Sequence, residues 1–247
     1  MNTKANKFDP EIENSGPKFP RSPKAKETIV IINPGFSGKS SERYTLEAMK
    51  QMWQKDKIIS LLANRRGMAD HLPHKGPTPF SWLRYDDLDE IIDYLNQNYD
   101  KPDIFLLGFS LGACSTINYL SHKAREKEET GILAAIAISP PWGLKESQVK
   151  ISKFPKLEKR VLEEFVEIMD RQRDSADLID FYQQFGVKPD DLLKYDKLYD
   201  LQNNITCKFY GFDKAEDYYE AHSVFNHVGH IEKRTLLITS LTDPVVE

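Results

Sequence analysis

Gly108-Phe109-Ser110-Leu111-Gly112 sits between an apolar run, Ile104-Phe105-Leu106-Leu107, and a segment at residues 111–119 that reads as a helix. A strand that becomes a helix within five residues must bend sharply. A serine at the bend projects its hydroxyl above the sheet, and glycines two residues to either side remove side chains that would clash as strand and helix close up. The letters G-x-S-x-G alone occur by chance about one time in ten in a chain this long. The flanking strand and helix give them weight. They make Ser110 a candidate nucleophile, the alternative being an ordinary helix N-cap serine.

Further strands surround this one. Residues 28–32 (TIVII) read as a buried strand that ends at Asn33-Pro34-Gly35. Ser40, Ser41 and Glu42 then open a helix whose apolar face includes Leu46, Met49 and Trp53. Residues 57–62 read as a second strand, 64–80 as a loop rich in Gly, Pro and His, and 82–99 as a helix with Leu88, Ile91, Ile92 and Leu95 on one face. Residues 132–138 (ILAAIAI) form another buried strand, and 234–239 (RTLLIT) resume that pattern late in the chain. Strands alternating with helices predict an α/β fold, a mostly parallel, doubly wound sheet. Between 142 and 232 there is no strong strand. Amphipathic segments at 157–169 and 176–185 predict a helical cap inserted over the C-terminal edge of the sheet, where ligands bind in open α/β folds. The organisation expected is a polar, disordered tail at 1–27, a core at 28–141, the insertion at 142–232 and a return to the core at 233–247.

Composition excludes several functions. Acidic and basic residues are interspersed, with a net charge of −4, and no basic patch invites nucleic acid. Cys114 and Cys207 follow no metal or redox spacing, so two free thiols in a reducing, intracellular compartment are expected. No window is apolar for long enough to span a bilayer. Peripheral membrane contact and a protein partner stay open.

Asp243, after the last strand, is the candidate acid that would orient a histidine; turn formation by Asp-Pro is its bland alternative. Two backbone N–H groups are needed to hold a developing oxyanion. Leu111, just after the serine, supplies one. Phe36, in a loop kept tight by Gly35 and Gly38, supplies the other. The Lys39-Ser40 that follows mimics the end of a phosphate loop, but Asn33 stands where the first glycine is required. The six histidines, His71, His74, His122, His222, His227 and His230, all precede Asp243, whereas triads on such sheets run Ser, Asp, His along the chain. No catalytic histidine is therefore expected among them. Triad chemistry needs no metal and no organic cofactor.

These residues resemble the α/β-hydrolase superfamily, and more narrowly its family-four branch of AB hydrolases, the lipases and esterases. The resemblance runs through Pro34-Gly35-Phe36-Ser37-Gly38 with Glu42 and Tyr44, Asn64-Arg65-Arg66-Gly67 with Pro79, Asp87 and Leu88, the turn at Gly108 to Gly112, Phe209-Tyr210-Gly211-Phe212 with Asp217-Tyr218-Tyr219, and Asp243-Pro244. It implies hydrolysis of lipid-like carboxylic esters (monoacylglycerols, phospholipids or short-chain esters) through an acyl-enzyme on Ser110. It also implies that the family's N-terminal strands, final strand, Gly-His segment and closing helix are missing from this chain. The alternative is a catalytically silent hydrolase fold that binds or scaffolds, favoured by the absent histidine. Acyl transfer to an alcohol or thiol shares the same acyl-enzyme. Without a closing helix, the edge and apolar face of the 234–239 strand should be exposed.

Overall fold

A computed structural model describes residues 26–36, 38, 42–64, 87–171, 173 and 176–246. Five parallel strands, β1 (Thr28–Asn33), β2 (Ile59–Leu62), β3 (Asp103–Phe109), β4 (Ile132–Ile138) and β5 (Arg234–Ile238), form one sheet in the order β2-β1-β3-β4-β5. The chain moves outward from β1 to β2, then returns to the other side of β1 with β3. The direction of winding therefore reverses between β1 and β3. The carboxyl ends of two such strands leave a crevice, because the loops that follow them diverge. Asn33 and Gly108 are register partners at that point.

One face of the sheet carries the core. Ile29 and Ile31 of β1, Ile104 and Leu106 of β3, and Ile132 and Ala135 of β4 are buried there. Helix α2 (Asp87–Asn98) lays Leu88, Ile92 and Leu95 on them at helical spacing, with Asp87, Asp89 and Glu90 in its first turn to complement the helix dipole. Helix α3 (Leu111–Glu126) contributes Tyr119 and Leu120 to this cluster. Its other side, with Ala113, Cys114 and Ile117, joins a second cluster built by the helices between β4 and β5. Each fully buried Ile or Leu contributes about 1.5–3 kcal/mol relative to exposure, so a helix buried on both sides anchors the structure.

Those helices are α4 (Leu144–Ser152), α5 (Pro155–Arg171), α6 (Ala176–Phe185), α7 (Leu198–Leu201), α8 (Cys207–Phe209) and α9 (Ala215–His222), with a π turn over Gln202–Thr206 joining α7 to α8. Leu162, Phe165, Ile168 and Met169 of α5 pack inward beside Leu178, Phe181 and Tyr182 of α6. Both cysteines are buried and unbridged.

Two expectations change. Helix α1 (Arg43–Asp56) does not bury the predicted face: Leu46 and Trp53 are exposed, and Thr45 is the buried residue. Strand β4 is not buried on both sides. A bulge at Leu133 shifts its register against β3, and Ile136 faces outward, exposed. Strand β5, as expected, lies at the edge with Leu236, 56% accessible, and Ile238 also exposed. A continuous apolar run means cover on both faces only where elements lie on both. Among the described residues, α1 alone approaches the outer face, through Met52. The tail before residue 26 and most of the 64–80 loop lie outside the described residues.

The outer face should promote self-association of the isolated chain. Leu236→Lys is expected to lower light scattering and dye binding by exposed apolar surface; an unchanged signal would show that this face is covered. The glycines at the turn offer a second check. A Cβ on Gly112 would lie 2.1 Å from the Asn33 carbonyl oxygen, whereas one on Gly35 would make ordinary contacts of 3.5 Å. Gly112→Ala should therefore cost about 3 kcal/mol in urea denaturation, and Gly35→Ala less than about 1 kcal/mol.

Candidate active site

Strand β3 ends at Phe109 and α3 begins at Leu111, so Ser110 alone makes the turn. Its backbone has φ 51° and ψ −119°. A non-glycine residue held there costs about 1–3 kcal/mol and persists only where its surroundings fix it. The surroundings here do so. The Ser110 N–H donates to the Ile138 carbonyl at 2.9 Å, and the Ser110 carbonyl accepts from the amides of Ala113 and Cys114 at 2.9 and 3.1 Å. Gly108 lies under the first turn of α3, where a Cβ would sit 2.6 Å from Ala113 Cα. The Asn33 side-chain amide donates to the Thr116 hydroxyl at 2.8 Å, and that hydroxyl donates to the Gly112 carbonyl at 2.9 Å. The end of β1 is thereby tied to the start of α3.

The loop after β1 reaches the serine. The Gly38 N–H donates to the Gly35 carbonyl at 3.1 Å, closing a tight turn. The Gly35 N–H donates to the Tyr44 hydroxyl at 2.9 Å, and the Tyr44 ring stands edge-on to Phe109 with centroids 5.1 Å apart. A Cβ on Gly35 would lie 3.5 Å from that of Ser110, so loop backbone runs beside the serine. Phe36, Ser110 and Leu111 border one cavity. Leu111 is the first residue of α3, so its N–H has no acceptor within the helix.

The cavity has a volume of about 150 Å³. Its wall is mainly apolar: Pro141, Leu144, Ile151, Leu157, Val161, Leu198 and Val245. Leu157 and Val161 come from the amphipathic segment seen in the sequence; the rest of that stripe is core. Ser147, Gln148, Gln202, Tyr218 and Tyr219 also line it. Tyr218 and Tyr219 stood out in the sequence only through the family resemblance, and Ser147, Gln148 and Gln202 did not stand out at all. Ser147 and Gln148 lie in LKESQVKIS, which reads as a solvated helix, and only tertiary packing turns them inward.

Asp243 lies just past β5. Its Oδ1 accepts the amides of Val245 and Val246, both at 2.9 Å, and its Oδ2 makes no hydrogen bond among the described residues. This turn carries Val245 into the cavity wall beside Ser110, and Lys150 of α4 holds the Val246 carbonyl at 3.1 Å. Turn chemistry and a carboxylate oxygen available to a donor thus coexist in one residue.

None of the four described histidines borders the cavity. His122 pairs with Glu126 along α3 at 2.9 Å, and His227 Nε2 contacts the Ala221 carbonyl at 2.8 Å. His230 is exposed. His71 and His74 lie outside the described residues. His222 packs against Tyr218 and Phe212, with centroids 4.9 and 5.8 Å away. Burial first, and the nearby His227 second, push its pKa down from 6.5 to about 4. The folded state keeps this imidazole neutral where the unfolded chain protonates. Stability is therefore complete above pH 6.5 and falls as the pH drops toward 4, by about 3 kcal/mol for this group. His222→Phe should flatten that acid limb in urea denaturation; an identical limb would assign it to other groups.

The family model described as serine aminopeptidase, S33, of the Hydrolase_4 group matches residues 24–247. An abhydrolase domain-containing protein of Dictyostelium discoideum is 26% identical over 222 residues, 87% of this chain and 53% of the relative. A monoacylglycerol lipase of Saccharomyces cerevisiae is 23% identical over 233 residues, 90% of this chain and 49% of the relative. The chain thus spans about half the length of these curated relatives. Among solved structures, a Legionella pneumophila protein provisionally classed as a hydrolase superposes with a TM-score of 0.50 at 12% identity, over 92% of this chain and 69% of the other. No described helix is long and apolar enough to cross a membrane. With the parallel sheet, the serine turn and a family match across nearly its whole described length, the chain belongs to the S33 family of α/β hydrolases.

Proposed function

We propose that this chain carries the acyl-transfer half of an ester-hydrolase site that acts on lipid-like carboxylic esters, with Ser110 as nucleophile. The supporting observation is the strained serine turn beside the Gly35 loop, opening onto an apolar cavity. In the proposed mechanism the Ser110 hydroxyl oxygen attacks the ester carbonyl. The amides of Leu111 and Phe36 hold the resulting oxyanion. Collapse of the tetrahedral intermediate expels the alcohol and leaves an acyl-serine, which water then hydrolyses. Asp243 would orient and charge-stabilise an imidazole through its available Oδ2. None of the described histidines borders the cavity, so the proposal assigns proton transfer to a histidine from outside this chain. The helices from α4 to α9 form the cap of this site.

Ester chemistry is favoured over amide chemistry by the relatives named monoacylglycerol lipase. The cavity volume matches one that holds a group of about six carbons, which favours a short acyl chain or the first carbons of a longer one. Peripheral contact with a membrane fits such a substrate and belongs to the same proposal.

The test is covalent labelling with a fluorophosphonate. Labelling is expected at the slow rate that oxyanion donors sustain without a base, and Ser110→Ala should abolish it. A folded chain that takes no label, or one that labels equally after Ser110→Ala, would instead support the catalytically silent fold.

A further inference from the structure

The turn between α4 and α5 concentrates positive charge in a chain whose net charge is −4. Residues 150–160 carry five cations, Lys150, Lys153, Lys156, Lys159 and Arg160, against one carboxylate, Glu158. That carboxylate is 3% accessible and already committed: it accepts the Leu198 N–H at 3.3 Å and pairs with Lys197 at 3.5 Å. Lys150 holds the Val246 carbonyl, and Lys159 pairs with Glu163 at 3.6 Å. Lys153, Lys156 and Arg160 are exposed and make no ion pair among the described residues. Between Lys153 and Lys156 stands Phe154, 49% accessible, with Val149 of α4 exposed to the same degree. The Phe154 backbone is fixed. Its N–H donates to the Ile151 carbonyl, and its carbonyl accepts from the amides of Leu157 and Glu158, all at 2.9 Å.

Helix stability does not account for this arrangement. A helix dipole favours carboxylates in the first turns and cations in the last. Outside the buried Glu158, α5 begins the other way round: Lys156, Lys159 and Arg160 open it, and Glu163, Glu164, Glu167 and Asp170 follow. Cations set against the dipole cost local stability, so the basic end answers to something outside the helix. The turn also adjoins the cavity beside Ser110. Ile151 and Leu157, three residues to either side of Phe154, line that cavity and are half-buried. Leu198, Tyr218 and Tyr219, on other walls, are buried. The cavity is therefore more accessible from the side of the turn.

We propose that the α4–α5 turn is a docking tip for an anionic lipid surface, with Phe154 entering the layer and Lys153, Lys156 and Arg160 against the headgroups. The chemistry of the tip selects this partner. Cations on long apolar stems reach phosphate and carboxylate headgroups, while an aromatic ring between them sits among the first acyl carbons. A neutral lipid layer would engage the ring alone, and an acidic protein the cations alone. Docked this way, the side of the cavity lined by Ile151 and Leu157 faces the lipid. An acyl chain then enters the cavity without crossing bulk water. The inference rests on the ester-hydrolase reading only in taking the ligand of the cavity to be a lipid-like ester.

The experiment is flotation of the full chain with vesicles of equal parts phosphatidylcholine and phosphatidylserine, and with vesicles of phosphatidylcholine alone. The chain should float with the anionic vesicles, far less with the neutral ones, and be released by salt. Lys153→Gln combined with Lys156→Gln is expected to weaken partitioning about 25-fold, each charge near such a surface contributing about fivefold. Phe154→Ser should weaken it about tenfold. Both variants should keep the parent melting temperature, because these side chains are exposed. If Phe154→Ser melts lower, the lysine pair decides alone. Leu236→Lys, on the open face of the sheet, should float as the parent does. Equal flotation with neutral vesicles, or flotation with neither, overturns the proposal. So does flotation lost in Leu236→Lys and kept by the lysine variant, which would put the lipid on the sheet face. Binding to polyglutamate without flotation would assign the tip to an acidic protein and overturns it too. Failure of the two readings is distinguishable. A chain that takes no fluorophosphonate yet floats through the tip loses the nucleophile and keeps the docking surface. A chain that labels at Ser110 in solution and does not float loses the docking surface alone.

Discussion

The close approach of helix α3 to the carbonyl end of β1 sets the positions of the rest of the site. Gly112 has no side chain, and any side chain there would enter the space of the Asn33 and Pro34 carbonyl oxygens. Because the two backbones meet, Asn33 reaches Thr116, and Thr116 reaches back to the Gly112 carbonyl. The short passage from β3 into α3 leaves a single residue for the turn, and Ser110 takes a conformation that a free chain would avoid. The same approach places the Gly35 loop next to the serine. Loosening this contact would move the proposed nucleophile and the proposed oxyanion donors together, because they share it.

Above that contact the molecule divides its labour. The sheet and the lower side of α3 supply a stiff base through fully buried aliphatic side chains. The helices from α4 to α9 rest on the other side of α3, and α4, α5, α7 and α9 line the cavity. They give the cavity an apolar wall from α4, α5 and α7. The cavity borders the strained serine.

Some of this was legible in the chain and some was not. The runs at β1 and β3 are short, β-branched or aromatic, and bounded by turn residues, so strand formation followed from local chemistry. Segment 176–185 and β4 keep the limits expected of them. The error at α1 has a clear cause. Leu46 and Trp53 share a helical face, but periodicity marks a face without saying whether anything lies opposite it. The same holds for β4, whose apolar run implied cover on both sides. Ser147 and Gln148 were invisible for the converse reason: a polar pair on a charged helix reads as solvated until another element encloses it.

Local sequence determined that residues 104–112 form a strand, a turn and a helix, because Gly108 and Gly112 remove the steric barrier and the apolar run fixes the pleat. It also determined which residue occupies the turn. Tertiary structure decided everything that depends on separation along the chain. It brought Gly35 to Ser110, turned α4 inward, and carried Val245 to the cavity while the Asp243 carboxylate held the turn behind it. Backbone strain and helix propensity act over a few neighbouring residues. Enclosure depends on which distant surfaces meet, and a pattern of residue types does not specify that.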